Sequence, residues 1–275
     1  MAARTIAVSQ PAGVSRKIPV RQITSSDLKQ SLSDGWRDFM EMRGDIIFLA
    51  LLYPLIGIVA AIATLGGPLV PLFLPIAAGI GLLGPVVAVG FYEMARRREL
   101  GLHSNWPHFL DVRKRPSFDE IASVAGLLLT IFALWLLAAG VLYVALFGWV
   151  EPASTGQFLR EVFTTERGWA LILIGGIVGG VFGVIVLAVS VVSMPMLVDC
   201  NTTASSAVRT SIRAARANPG VTLRWGIIVA TLLVLGSIPL FIGLAVVLPW
   251  LGYSTWHLYT RLLDRSAIPA RKRTS

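Results

Sequence analysis

The sequence predicts an all-α protein: a polytopic transmembrane helical bundle of six spans, arranged as three helical hairpins, with a cytoplasmic interfacial helix at the N-terminus. Three observations predict it. Of the 275 residues, 55% are hydrophobic and only 14% charged, against roughly a quarter charged in ordinary soluble domains. Every charged side chain lies outside four blocks, Ile46 to Tyr92, Ile121 to Gly148, Trp169 to Val198 and Trp225 to Tyr259. Each block is long enough to cross a bilayer, whose hydrocarbon core of about 30 Å takes roughly 20 apolar helical residues.

Residues 1–22 are polar, carry Pro11, Gly13 and Pro19, and read as a disordered tail. Over 23–45 the pattern changes. Thr24-Ser25-Ser26-Asp27 offers side-chain oxygens to start a helix, and Leu28, Leu32, Trp36 and Phe39 recur at helical spacing. Lys29, Arg37 and Arg43 alternate with Asp27, Asp34, Asp38 and Glu41, so the polar face is mixed in charge. The expectation is an amphipathic cytoplasmic helix, lying either on the bilayer interface or against the protein's own loops.

The membrane domain is expected over 46–260. Its first block is too long for one crossing and breaks at Gly66-Gly67-Pro68, where flexible glycines and a proline without an N–H turn the chain. Spans follow near 46–65, 69–92, 121–148 and 169–198. The last block as one helix would be about 52 Å long and would overshoot the bilayer. A corner at Gly236-Ser237-Ile238-Pro239 divides it into spans near 224–238 and 240–259, leaving 261–275 as a basic cytoplasmic tail.

Orientation follows from the basic residues, which are retained on the cytoplasmic side. Of the 24, only Arg160 and Arg167 fall in the loop 149–168; the others lie in the two tails and in loops 93–120 and 199–224. Six spans let these groups alternate. The expected location is therefore a bacterial inner membrane, multi-pass, with both termini cytoplasmic. No apolar run with a small-residue cleavage site precedes the first span, which is expected to direct insertion itself. The net charge of +9, spread over short loops beside the bilayer, points to anionic lipid as partner and not to nucleic acid. Cys200, the single cysteine, can form no internal disulfide and reads as a small filler.

In the loop 93–120, Arg96-Arg97-Arg98 precedes Trp106, Phe109 and Leu110, a mixture of charge and aromatics suited to lipid headgroups. The stretch Thr202 to Ala217 reads as a short helix with Arg209, Arg213 and Arg216 on one face, stopped by Asn218-Pro219-Gly220. The external loop from Trp149 to Gly168 is short and leaves no room for a domain. Trp149 and Trp169 fit an outer aromatic belt, and Tyr92, Trp225, Trp256 and Tyr259 an inner one.

The strongest local motif is in the fourth span, where Gly175, Gly176, Gly179, Gly180 and Gly183 form two overlapping small-xxx-small series. Small residues let another helix backbone approach closely, either within the chain or from a second copy. The even-numbered spans also carry Pro85, Pro195 and Pro249 as expected helix kinks, followed by Glu93, by Asp199 and by Trp256-His257-Leu258-Tyr259. This rhyme suggests three hairpins of common design. Glu93, Asp199, Asn218 and His257 are the polar candidates of the cytoplasmic face, with structural ion pairing as the expected role of Glu93 and Asp199.

Several chemistries lack their residues. No ionisable group falls mid-span, which disfavours ion-coupled transport. The histidines His103, His108 and His257 are too few and too peripheral for a haem–copper centre, and Pro107 disfavours a metal site on His103, His108 and Asp111. Hydrolase and phosphate-loop signatures are missing. No catalytic residue, cofactor or metal is assigned.

The segments Leu83-Gly84-Pro85 through Phe91-Tyr92-Glu93, Phe163-Thr164-Thr165 through Gly168, Ser190 through Asp199, Ala217-Asn218-Pro219 and Trp256-His257-Leu258-Tyr259 resemble a family of bacterial integral membrane proteins. Gly35-Trp36-Arg37-Asp38-Phe39 matches its pattern too. The family is called domain of unknown function 2189, and some members are labelled cytochrome c oxidase subunits, which implies at most an accessory association. The resulting expectation is a non-enzymatic accessory, assembly or scaffolding component that packs with a membrane-protein partner or a second copy and with anionic lipid. The alternative is a passive small-solute transporter or channel built on the kinked hairpins.

Overall fold

The computed structural model describes residues 18–50, 70–73, 75–76, 84–149, 154–239 and 241–267, with Ile58, Ile62 and Pro152. Among them the protein is helical, with one isolated β-bridge, Val20 to Leu263. The helices are α1 (Ser25–Ala50), α2 (Val89–Glu99), α3 (Phe118–Phe147), α4 (Thr155–Thr164), α5 (Glu166–Ser190), α6 (Ser193–Asp199), α7 (Ala204–Ala217), α8 (Pro219–Ser237) and α9 (Leu244–Leu262). Half of the expected first hairpin, 46–65 and 69–92, lies outside the described residues, as do 1–17 of the expected tail and 268–275.

Among the described residues, three stretches are long and apolar enough to cross a membrane: Phe118–Phe147, Glu166–Asp199 and Pro219–Ser237. Only 17%, 11% and 17% of their most apolar windows are buried inside the protein. Leu137 on α3, Ile177 on α5 and Val234 on α8 are each more than 60% exposed. Such faces are stable when the surrounding solvent is apolar, because they add nothing to a water-excluding core.

The opposite condition holds at the other end of the molecule. Trp225, Trp256, Tyr92 and Tyr259 are among its most completely buried large side chains. The sequence placed these four in an inner aromatic belt at the lipid surface; the structure corrects that, enclosing them between α2, α6, α7, α8 and α9. Their position at the ends of apolar blocks suits either environment, and only the packing of neighbouring helices distinguishes the two.

α1 and α9 make the tightest pairing. Tyr253 donates to the Met42 sulfur at 3.4 Å, His257 meets Asp38 at 2.7 Å, and Arg261 meets Asp34 at 2.6 Å. Four residues forward on α9 correspond to about four back on α1, so the helices run antiparallel with one helical turn per rung. Asp27 starts α1 by accepting 2.7 Å bonds from the Thr24 backbone N–H and hydroxyl. The helix then runs without interruption to Ala50, past the expected boundary between an amphipathic helix and a first span at 45. Leu28, Ser31, Asp38 and Phe39 are buried, whereas Trp36 and Met40 remain exposed.

Pro195 is placed differently from a simple kink. It stands in the first turn of α6, where a helix needs no proline N–H. The break precedes it, at Val191–Val192, and the Val192 N–H released there donates to Ser211 Oγ on α7 at 3.2 Å. Pro85 lies in the described helical segment Gly84–Val87, and Pro249 is interior to α9. The expected corner does form: α8 ends at Ser237, and Gly236 and Gly243 meet so closely that a Cβ on Gly243 would stand 2.7 Å from the Gly236 oxygen.

Of the expected disordered tail, residues 18–22 dock along the C-terminal segment. Arg21 N–H donates to Leu262 O at 2.8 Å and Asp264 N–H to Pro19 O at 3.0 Å. Backbone groups paired in this way remove the solvation cost of burying a polar strand. Residues 19–21 and 262–264 are therefore tied together by their backbones.

Candidate functional site

α2, which follows Pro85, and α6 and α9, which contain Pro195 and Pro249, pack on one another. They bring the polar candidates to one end of the molecule. Glu93, only 2% exposed, is held by two arginines: Arg96 donates from Nε at 3.0 Å and from Nη2 at 2.7 Å, and Arg115 from Nη1 at 2.8 Å. Arg96 and Arg115 are themselves buried. A carboxylate at this depth is tolerable because planar guanidinium groups satisfy its oxygens bidentately.

Asp199, at the end of α6, accepts from the Tyr259 hydroxyl at 2.8 Å and faces Arg265 at 3.4 Å. Arg265 also pairs with Glu99, whose Oε2 takes the Trp256 indole N–H at 3.1 Å. His257 Nε2 lies 2.7 Å from Asp38 Oδ2, and Arg98 reaches the other Asp38 oxygen at 3.2 Å. Asn218 is a clasp: its Oδ1 accepts from the Ile23 N–H at 3.0 Å, and its Nδ2 donates to Arg21 O at 3.1 Å and Ala214 O at 3.2 Å. All four candidates are thus committed to internal partners.

The arginines divide. Arg96, expected at lipid headgroups, is withdrawn into the core by Glu93, which corrects that assignment for this residue. Arg97 donates to His103 O at 2.8 Å and approaches Asp111 at 3.4 Å, and Arg98 pairs with Asp38 and Glu41. Arg213 is drawn onto Ile18 O at 2.7 Å. Arg209 and Arg216 remain exposed on α7.

Electrostatics follow the pairing. Burial opposes ionisation of Asp34, but the Arg261 bond and the surrounding positive charge together outweigh it and hold the carboxyl below its usual value. The Lys114 ammonium, 2.7 Å away, does the same for Asp111. Burial, aided by the Asp199 charge, pushes the Cys200 thiol up to about 12. Asp34, Asp38, Glu99, Arg115, Arg261 and Arg265 were not singled out from sequence. The signal was present for the α1–α9 pair: acids at 34 and 38 match bases at 257 and 261 at the same i, i+4 spacing.

His108 Nδ1 accepts the Asn105 N–H at 3.1 Å and so helps to start the 3-10 segment Trp106–Lys114. Among the described residues, no group of three or more His, Cys, Asp or Glu could hold a metal ion.

The glycine series faces two ways. A Cβ on Gly175 would meet Leu142 at 3.6 Å and one on Gly179 would meet Trp135 at 3.6 Å, both on α3. Among the described residues nothing comes within 4 Å of such an atom on Gly176, Gly180 or Gly183. One face is closed by α3, and the other meets none of the described residues.

Long outward-facing apolar helices, joined to an end where charge is neutralised pair by pair, define an α-helical integral membrane protein. More particularly, residues 72–199 match the model of a family described as predicted integral membrane protein, domain of unknown function 2189. Of the segments that carried the resemblance, Gly35 to Phe39, Ala217 to Pro219 and Trp256 to Tyr259 lie outside the matched stretch. No curated protein and no solved structure matches the chain.

Proposed function

We propose that the protein is a non-enzymatic accessory, assembly or scaffolding component of a bacterial inner membrane, crossing it six times with both termini in the cytoplasm. It packs with a partner helix, from another membrane protein or a second copy, through α5, and with anionic lipid through its remaining inner basic residues, Arg209 and Arg216 among them. The observation that carries this reading is the glycine face at Gly176, Gly180 and Gly183, which none of the described residues covers, beside one at Gly175 and Gly179 that meets Leu142 and Trp135. Close backbone approach on such a face gains van der Waals contact that lipid chains do not supply.

Two hydroxyls that a solute path could use, those of Ser193 and Thr255, are spent on backbone carbonyls four residues back, which weighs against the passive-transport alternative. Ser193 Oγ donates to Val189 O at 2.6 Å and Thr255 Oγ1 to Leu251 O at 2.7 Å, and both residues are buried.

The test is a tagged chain isolated from native membranes in mild detergent. Gly180→Leu is expected to release a stoichiometric partner or second copy while leaving the thermal stability of the chain unchanged. Gly179→Leu is expected to lower that stability by colliding with Trp135. Recovery of the unaltered protein only as a lone monomer would overturn the proposal.

A further inference from the structure

The short loop between α3 and α5 contains a helix that the sequence reading left as a connection. Ser154 caps α4 by accepting the Gln157 N–H at 3.1 Å. Phe158 and Val162 are buried against Tyr143 on α3, Leu171 and Ile172 on α5, and Val70. The far end is fixed as well: Thr165 donates to Glu161 O at 2.7 Å and accepts from the Gly168 N–H at 3.0 Å. α4 is therefore held firmly at the corner of the hairpin.

Its apolar arc is wider than the protein covers. Leu159 and Phe163, one residue round from the buried pair, are 48% and 60% exposed, while Gln157, Arg160 and Thr164 occupy the polar side. Trp149, 91% exposed, and Trp169, 52% exposed, flank the helix at the ends of α3 and α5. Tryptophan with one apolar and one polar edge is suited to the boundary between acyl chains and headgroups.

We infer that α4 lies in the membrane interface at this end of the bundle, with Leu159 and Phe163 seated in lipid beside Trp149 and Trp169. The partner is the lipid surface, because the strip continues the exposed apolar surface of α5 at Leu173, Ile174 and Ile177. Distances along the helices agree. From Trp169 to Val189, where α5 becomes buried, the rise is about 30 Å, the thickness of the hydrocarbon core. From Gly148 back to the buried Leu128 on α3 it is again about 30 Å. α4 thus marks one edge of the lipid belt and the enclosed aromatic end marks the other. This inference rests on the chain being an integral membrane protein and not on the scaffolding role.

The experiment uses the full chain with Cys200→Ser, reconstituted in phosphatidylethanolamine–phosphatidylglycerol vesicles. Nitroxide labels are placed by Leu159→Cys, Phe163→Cys, Arg160→Cys and Val181→Cys, and relaxation by oxygen is compared with relaxation by a water-soluble nickel chelate. Labels at 159 and 163 are expected to favour oxygen several-fold over the nickel chelate and to report a shallower depth than 181, while 160 favours nickel. Nickel accessibility at 159 and 163 equal to that at 160 would place the strip in water and overturn the inference. Protection from both reagents would mean that a protein surface covers it, with the same consequence.

Discussion

Gly35 on α1 lies against Ser254 on α9 with no room for a methyl group: a Cβ there would stand 2.5 Å from the Ser254 nitrogen and 2.7 Å from its Cα. The contact is backbone to backbone, so neither helix can yield by rotating a side chain. Gly35→Ala is expected to cost about 1–3 kcal/mol, as overpacking of a closed core does. A lowered midpoint of thermal unfolding in detergent measures it. An unchanged midpoint would show that α1 and α9 are not in register as described.

Ser254 is an informative companion, because its hydroxyl is buried without a hydrogen-bond partner among the described residues. Ser254→Ala removes an unsatisfied polar atom and is expected to raise stability by about 1 kcal/mol. The same unfolding assay decides the sign.

Glu93 bridges two buried guanidinium groups. Glu93→Ala removes the carboxylate that both share and is expected to cost about 3–5 kcal/mol, whereas Arg96→Ala, which leaves Arg115 on the carboxylate, costs less. Expression level and unfolding midpoint of the two variants compare them. Equal losses would argue against a shared clamp.

Asn218 holds the strand 18–23 through both ends of its amide. Asn218→Leu removes the bonds to Ile23 and Arg21 and should expose that strand to protease, with little effect on the midpoint of the helical bundle. N-terminal cleavage rates, measured on membrane vesicles opened to the protease, provide the readout.

The Asp34–Arg261 pair is expected to make docking of α1 pH-dependent. The Asp34 carboxyl is lowered from its ordinary 3.8, so the folded state binds its proton less readily than the unfolded state. Stability from this pair is complete above that ordinary value and fades as pH falls through the lower folded one. The difference in unfolding midpoint between the parent and Asp34→Asn should therefore be present at neutral pH and shrink in acid below 3.8. A difference that grows in acid would contradict the assignment.

With the Cys200 thiol pushed up to about 12, little thiolate exists near neutral pH. Maleimide labelling should be slow in the folded protein and fast after denaturation. Fast labelling of the folded state would mean that the end of α6 opens to solvent.

The lipid-facing helices were legible because their signal is one-dimensional. A stretch such as Trp169 to Val198 has no charged group over the thickness of a bilayer, and no arrangement of neighbours alters that. The corner at Gly236 to Pro239 was legible for a similar reason, since a local break in an overlong apolar block must fall at glycine and proline. The fate of Arg96 was not legible. Nothing near it in sequence distinguishes it from Arg97 or Arg98, and only the meeting of α2 with Arg115 makes Glu93 a buried acceptor for it.

By itself the sequence determined the class of protein, the helical composition and the stretches that require an apolar solvent, because burial of unbroken apolar runs depends on length and composition alone. Tertiary structure alone decided which residues leave the lipid. It enclosed Trp225, Trp256, Tyr92 and Tyr259 in a core, tied Asp38 to His257 and Asp199 to Tyr259, and turned the face of Gly175 and Gly179 toward α3. The physical reason is that ion pairing and close packing depend on the separation of groups far apart in the chain, and those separations are set only when the helices meet.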